Sequence, residues 1–446
     1  MLDRFFEKMR AFLNGKWASA VYTVLACLTV SFSIENYAIP LFILWVLFVL
    51  LVDKSFLNVF LPVTLLCGFA IRTSGQATYL LNHLWLAIPV VIVIFVHFIL
   101  YGKRRHLHFL WQHLAVSAAL ILGGLFHISA SDYFKPDALY YVFFLGIGML
   151  FFYVWFRSGV SSNEYYDVKE KLMECFLFLG VFCAYSILDE ALRVFLAIGS
   201  PFAPYVWSND ICELMLFCIP AAFYYARKRY AYLFLGVLFY AAMVFTQSYS
   251  AMLSGGILLV LCFAYLLKYR ASLRIYTAAI LGFFVVVAFS FFAYFVKMKG
   301  GLFVAFEAEE NGRINLIREA WKNFISAPLF GVGIGDPGAG NATFMTVNWT
   351  HNIIFQVLGS LGLVGALAYG YQLYSRIKTV FLRPDAFRLA AGLSYLGLFL
   401  ISMLQPGEFC PMPYAMMAVM IFTVLEVTDE ETREKTKNDE KTGTAS

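Results

Sequence analysis

Apolar residues run along this chain in blocks of about 20 broken by short polar turns, a spacing that predicts helices crossing a membrane. Such blocks fall at roughly 17–34, 37–52, 56–71, 79–101, 108–129, 138–156, 172–190, 210–226, 230–248, 250–267, 275–296, 352–374, 389–404 and 413–427. Several are short or tightly joined, so the expected architecture is all-α, a polytopic bundle of about 12–14 transmembrane helices. Two polar stretches stand out, residues 191–209 and 297–351. Within the longer one, Ile314, Ile317, Trp321, Phe324 and Ile325 recur at helical spacing. They predict an amphipathic helix over 313–325 lying on the bilayer or on the bundle, with Arg313 and Arg318 on opposite edges of its stripe. Beyond Thr428 the apolar periodicity stops, so 1–427 is expected to be one membrane domain and 428–446 a disordered tail.

Composition agrees. Of 446 residues, 61% are hydrophobic and 14% charged, which excludes an ordinary soluble domain. No cleavable leader is expected, because the first block runs straight into a second with no small-residue cleavage site. The net charge of +5 does not imply nucleic acid, since the basic residues are scattered over short loops. Cys27, Cys67, Cys175, Cys183, Cys218 and Cys262 sit inside apolar runs, where thiols behave as small hydrophobes. No CxxC pair or zinc-spaced Cys/His cluster is present, so neither a disulfide framework nor a metal site is expected.

Charge sets the orientation. With the N-terminus placed in the cytoplasm, most of the 33 basic residues fall in inward segments, among them Lys103–Arg105, Arg157, Arg227–Arg229, Arg376 and Arg388. Both termini are then cytoplasmic. The outward basic residues are Arg72, Lys135, Arg193, Lys297, Lys299, Arg313, Arg318 and Lys322, and the last five share the 297–351 loop. Arginines concentrated in one outer loop against the bias mark it as the place to look for function.

Pro328 closes the amphipathic helix, and Gly331, Gly333 and Gly335 permit positive φ and close backbone approach. No strand precedes them, which excludes a dinucleotide fingerprint and leaves a plain loop turn as the alternative. His351 opens the next span on the outer side. Histidine accepts a proton near neutral pH, and its bland role would be to cap the span together with Asn352. Thr246–Ser250 forms a polar outer turn. Asn209 and Asp210 enter a span just after Arg193, which has Asp189 and Glu190 as ready partners. The polar turn Gln405–Glu408 reads as structural.

Together, Gly312-Arg313, Trp321, Pro328, Phe330-Gly331-x-Gly333, His351-Asn352, Gly359, Gly362 and Gly365 resemble the signature of the O-antigen ligase and polymerase superfamily over about 312–366. Asn209 with Pro220 is similar to an Asn-to-Ile-Pro pattern of that family, and the 246–250 turn to its Thr-x-Ser-Arg turn. The resemblance implies a metal-independent, inverting glycosyltransferase without a cofactor, working at the periplasmic face of a bacterial inner membrane. Its donor would be a glycan on undecaprenyl diphosphate, and its acceptor lipid A–core for a ligase or a second lipid-linked repeat for a polymerase. Arg313 would hold the diphosphate and His351 would be the base. The family turn carries an arginine where this chain has Tyr249, so either Arg193 or Arg318 supplies the second positive charge or this chain grips its donor differently. Tyr249, Asn352 and Asn209 are candidate substrate contacts. A transporter would place charges near the bilayer midplane, whereas here they gather at span ends and in the outer loop. A protein O-oligosaccharyltransferase would carry more chain after the histidine span.

Overall fold

The computed structural model describes residues 2–72, 87–163, 165–199, 208–246, 248–270, 280–281, 302–334 and 350–443. Among these no strand occurs, and the chain is an all-α polytopic membrane protein. Its principal helices are α1 Leu2–Asn14, α2 Lys16–Ser31, α3 Glu35–Val52, α4 Leu57–Arg72, α5 Ala87–Tyr101, α6 Leu110–Leu122 and α7 Ala138–Gly159. There follow α8 Val168–Ile198, α9 Ser208–Ala226, α10 Ala231–Phe245, α11 Tyr249–Tyr269, α12 Leu302–Ser326, α13 Ile353–Phe381, α14 Ala386–Ser402 and α15 Met416–Gly443. Six described helices are long and apolar enough to cross a membrane, and six further apolar helices are shorter. The expected block at 275–296 lies outside the described residues except for 280–281, as do 79–86 of another block, Gly335, and most of the outer loop beyond α12.

Burial runs opposite to that of a soluble bundle at the rim. Ile88, Val91, Ile92, Phe95 and Ile99 recur at helical spacing on α5 and are all exposed, a stripe suited to lipid. At the centre, α9 is buried on every side from Ile211 to Tyr224. Its neighbours approach through glycines. A methyl group at Gly236 of α10 would overlap Phe223, and one at Gly397 of α14 would lie 3.0 Å from the Leu216 carbonyl. Without a hydrophobic force between helices in lipid, such close backbone packing is the main source of cohesion.

The tail departs from its expectation. Instead of losing order at Thr428, the chain continues as α15 to Gly443. The reason is pairing that composition does not reveal. Arg157, 1% exposed, lies 3.1 Å from Glu426 and also pairs with Glu430. Arg388 pairs with Asp429, and Ser162 donates to Glu431 from its backbone and its hydroxyl, each at 2.9 Å. An acidic run without an apolar stripe is thus tied to two arginines and a serine from other parts of the chain.

Arg376 is a second departure. Expected in an inward loop, it is buried inside the bundle, paired with Glu408 and donating to the Tyr395 hydroxyl at 2.9 Å. After α14 the backbone turns back on itself, bringing Glu408 to the guanidinium, and Glu408 N–H donates to Ser402 Oγ at 2.9 Å. A buried arginine is tolerable here because Glu408 neutralises its charge and Nη1 has two acceptors.

Candidate active site

Five elements meet at one end of the bundle. Helix α13 begins at Ile353, capped by Asn352, whose side-chain oxygen accepts from Ile354 N (3.0 Å) and Phe355 N (3.2 Å). Asn352 Nδ2 donates to the Met403 carbonyl at 3.1 Å, tying the cap to the turn after α14. On the other side of His351, Thr350 N donates to Gln356 Oε1 at 2.9 Å. His351 itself has φ +52. Left-handed backbone is uncommon outside glycine, and here locked neighbours on both sides impose it.

The imidazole is half-buried, with Nδ1 lying 3.1 Å from Gln405 Oε1. Gln405 Nε2 donates to Ser250 Oγ at 3.4 Å, and Arg313 Nη2 donates to the same oxygen at 3.0 Å. One polar chain therefore runs His351–Gln405–Ser250–Arg313. Burial depresses the His351 pKa most; the Gln405 bond opposes that, and the positive charge of Arg313 adds to it. Helices α9, α11 and α13 all start here: Ser248, the cap of α11, donates to Asn209 Oδ1 on α9 at 2.5 Å. Three helix amino-termini give the region a positive potential that favours an anion.

The glycine turn serves the backbone. Gly331 (φ +67) and Gly333 (φ +91) let Pro328–Gly333 lie flat across α13 where Gly362 (φ +65) breaks it. Gly331 N donates to Ala327, Val332 N to Gly359 and Gly333 N to Ser360, while Leu363 N and Val364 N donate to Pro328 and Leu329. A methyl group on Gly331 would overlap the Ser360–Leu361 backbone. These N–H groups are consumed in a clasp that replaces the helix bonds lost at the break, so they are not a phosphate cradle. The clasp fixes the half-helix 353–361 and hence His351.

Helix α12 is longer than expected, starting at Leu302. Its small face packs on α13, where Gly359 leaves room for Ala320. Its predicted stripe points outward: Ile314, Trp321 and Ile325 are exposed. Arg313 and Arg318 separate accordingly. Arg313 reaches Ser250, whereas Arg318 is exposed and hydrogen-bonds to none of the described residues.

Arg193 is not brought to this chain of residues. It pairs with Asp189 (2.8 Å) and donates to Ser33 Oγ (2.9 Å) and to the carbonyls of Val30 (3.0 Å) and Ser31 (2.6 Å), pinning α8 to the end of α2. Tyr249 is the half-buried first residue of α11, beside Ser250. Gln405, read from sequence as structural, is the residue that reading missed. Nothing in its spacing marks it; only the approach of the α14 turn to α13 does. A groove of about 200 Å³ begins at Ile353 and Ile354 and continues between α13 and α14 past Val357, Leu373 and Phe399.

Residues 215–370 match the family described as O-antigen ligase. No curated protein and no solved structure matches the chain.

Proposed function

We propose that this chain, whose residues 215–370 match the O-antigen ligase family, acts in surface-polysaccharide synthesis by moving a glycan from undecaprenyl diphosphate to an acceptor hydroxyl at the periplasmic face of the inner membrane. The observation that carries the reading is the chain Arg313–Ser250–Gln405–His351, which ties a cation and a proton acceptor together by hydrogen bonds.

The proposed reaction needs both. The acceptor oxygen attacks the anomeric carbon and its proton passes to His351. The bond from that carbon to the diphosphate oxygen breaks on the opposite side, which inverts the centre and releases undecaprenyl diphosphate. Negative charge grows on the leaving diphosphate, where Arg313 and the helix amino-termini are arranged to meet it. These groups supply the compensation that a metal would otherwise give. Arg318, exposed on the same helix, is the second arginine best placed to reach a donor at the membrane surface. Asn209, Tyr249 and Asn352 would contact the substrate from positions beside this chain of residues, and the groove below Ile353 suits an apolar lipid chain.

Lipid A–core is the proposed acceptor. The alternative is a polymerase extending a second lipid-linked repeat, and Tyr249 in place of the family arginine favours keeping it. Lipopolysaccharide from a strain lacking the chain separates the two. Bare core with lipid-linked polymer accumulating means ligation, and core bearing a single repeat means polymerisation. An unchanged ladder would remove both roles.

A further inference from the structure

The chain of polar contacts has a direction. Arginine only donates, so Ser250 Oγ must accept from Arg313 Nη2. The second lone pair of that oxygen faces Gln405 Nε2, also a donor, at 3.4 Å. In this arrangement the amide has Oε1 toward His351, 3.1 Å from Nδ1. A carbonyl oxygen only accepts, so Nδ1 must carry the proton. We propose that Gln405 is a positioning residue that holds His351 in the tautomer protonated on Nδ1, leaving Nε2 with its lone pair, with its amide nitrogen anchored on Ser250.

The value of this to catalysis rests on the reading of His351 as the base. A base must present a bare nitrogen to the hydroxyl it deprotonates, and with Nδ1 protonated that nitrogen is Nε2. The neutral amide orients the ring without adding charge. A carboxylate there would hold the same tautomer but also stabilise imidazolium, filling the acceptor position before the reaction begins. Arg313 is the charged group whose field reaches the ring. The surroundings also keep the amide in place: Gln405 is 5% exposed, and the turn carrying it is anchored three residues on, where Arg376 and Tyr395 hold Glu408.

The full-length chain, purified in detergent with nitrogen-15-labelled histidine, reports the tautomer without any substrate. Signals lost in His351→Ala identify the residue. The parent should show Nδ1 protonated and Nε2 bare, Gln405→Glu should show the same neutral tautomer once the pH is above its raised imidazolium pKa, and Gln405→Leu should lose the preference. A proton on Nε2 in the parent, meaning the amide is reversed, overturns the proposal, as does a Gln405→Leu spectrum identical to the parent. With undecaprenyl-diphosphate-linked saccharide as donor, Gln405→Glu should also move the acidic limb of the pH–rate profile upward by about one unit. An unmoved limb counts against the assignment even if Gln405→Leu fails to fold. The base reading fails separately, through full transfer by His351→Ala, whatever the spectrum shows.

Discussion

At the scale of single residues, the proposed chemistry would depend on two side chains that few others can replace. Removing a general base costs roughly 100-fold to 10,000-fold. His351→Ala should therefore lose at least about 100-fold in transfer while its abundance in membranes, read by immunoblot, stays at the parent level. Arg313→Lys should remain poor, because an ammonium offers no planar fork to a phosphate and is shorter in reach to Ser250. The pH dependence has a definite sign. A base works when unprotonated, and burial and Arg313 hold the His351 pKa below the ordinary histidine value. The acidic limb of kcat/KM, which reports the free enzyme, should then lie below about pH 6.5. A limb above that value would mean another group titrates or that a carboxylate acts on the ring. Arg313 and His351 were legible in the sequence because each stands out against its surroundings. Gln405 and Ser250 were not, since an amide or a hydroxyl in a polar turn is ordinary until the turn is seen to touch something. The role of Arg193 was equally hidden, as the partners that occupy it on α2 lie more than 150 residues away.

At the scale of elements, hydrophobic spacing located most spans to within a few residues, because lipid imposes a length on every crossing. What it could not locate were the places where a helix is interrupted. Residues 352–374 read as one continuous apolar run, yet α13 breaks at Gly362, and Pro328–Gly333 supplies the missing bonds from outside. Glycine was visible in the sequence; the partner that made it necessary was not. Gly362→Ala should be costly: left-handed backbone alone penalises a side chain by about 1–2 kcal/mol, before its overlap with Leu329 and Gly331. Membrane abundance and thermal stability in detergent should both fall. Gly370→Ala, on the same helix with nothing within 4 Å of the added methyl, should leave both unchanged. Equal behaviour of the two would remove the clasp from the account.

At the scale of the whole molecule, the two ends of the bundle do different work. One gathers helix starts, Arg313 and His351. At the other, Arg388 bonds the Thr379 carbonyl near the end of α13 and reaches Asp429, while Arg157 lies between Glu426 and Glu430. Glu426→Gln would leave a buried guanidinium short of its buried carboxylate partner, a loss of the kind that costs about 3–5 kcal/mol when a buried pair is broken. The expected result is a clearly lower melting temperature in detergent, with His351 chemistry intact in the molecules that stay folded. The tail was the least legible part of the chain, because its order comes from charges far away in sequence rather than from its own periodicity. The outward stripe of α12 carries a different consequence. Exposed Ile314, Trp321 and Ile325 suit the helix of Arg313 to lie against the bilayer, so the proposed lipid-borne donor would arrive by sliding within the plane. The quantity governing the rate is then donor per unit area, not donor per litre. Adding empty lipid or detergent at constant bulk donor should slow transfer in proportion to the mole fraction lost, and a rate indifferent to that dilution would mean that the donor enters from water.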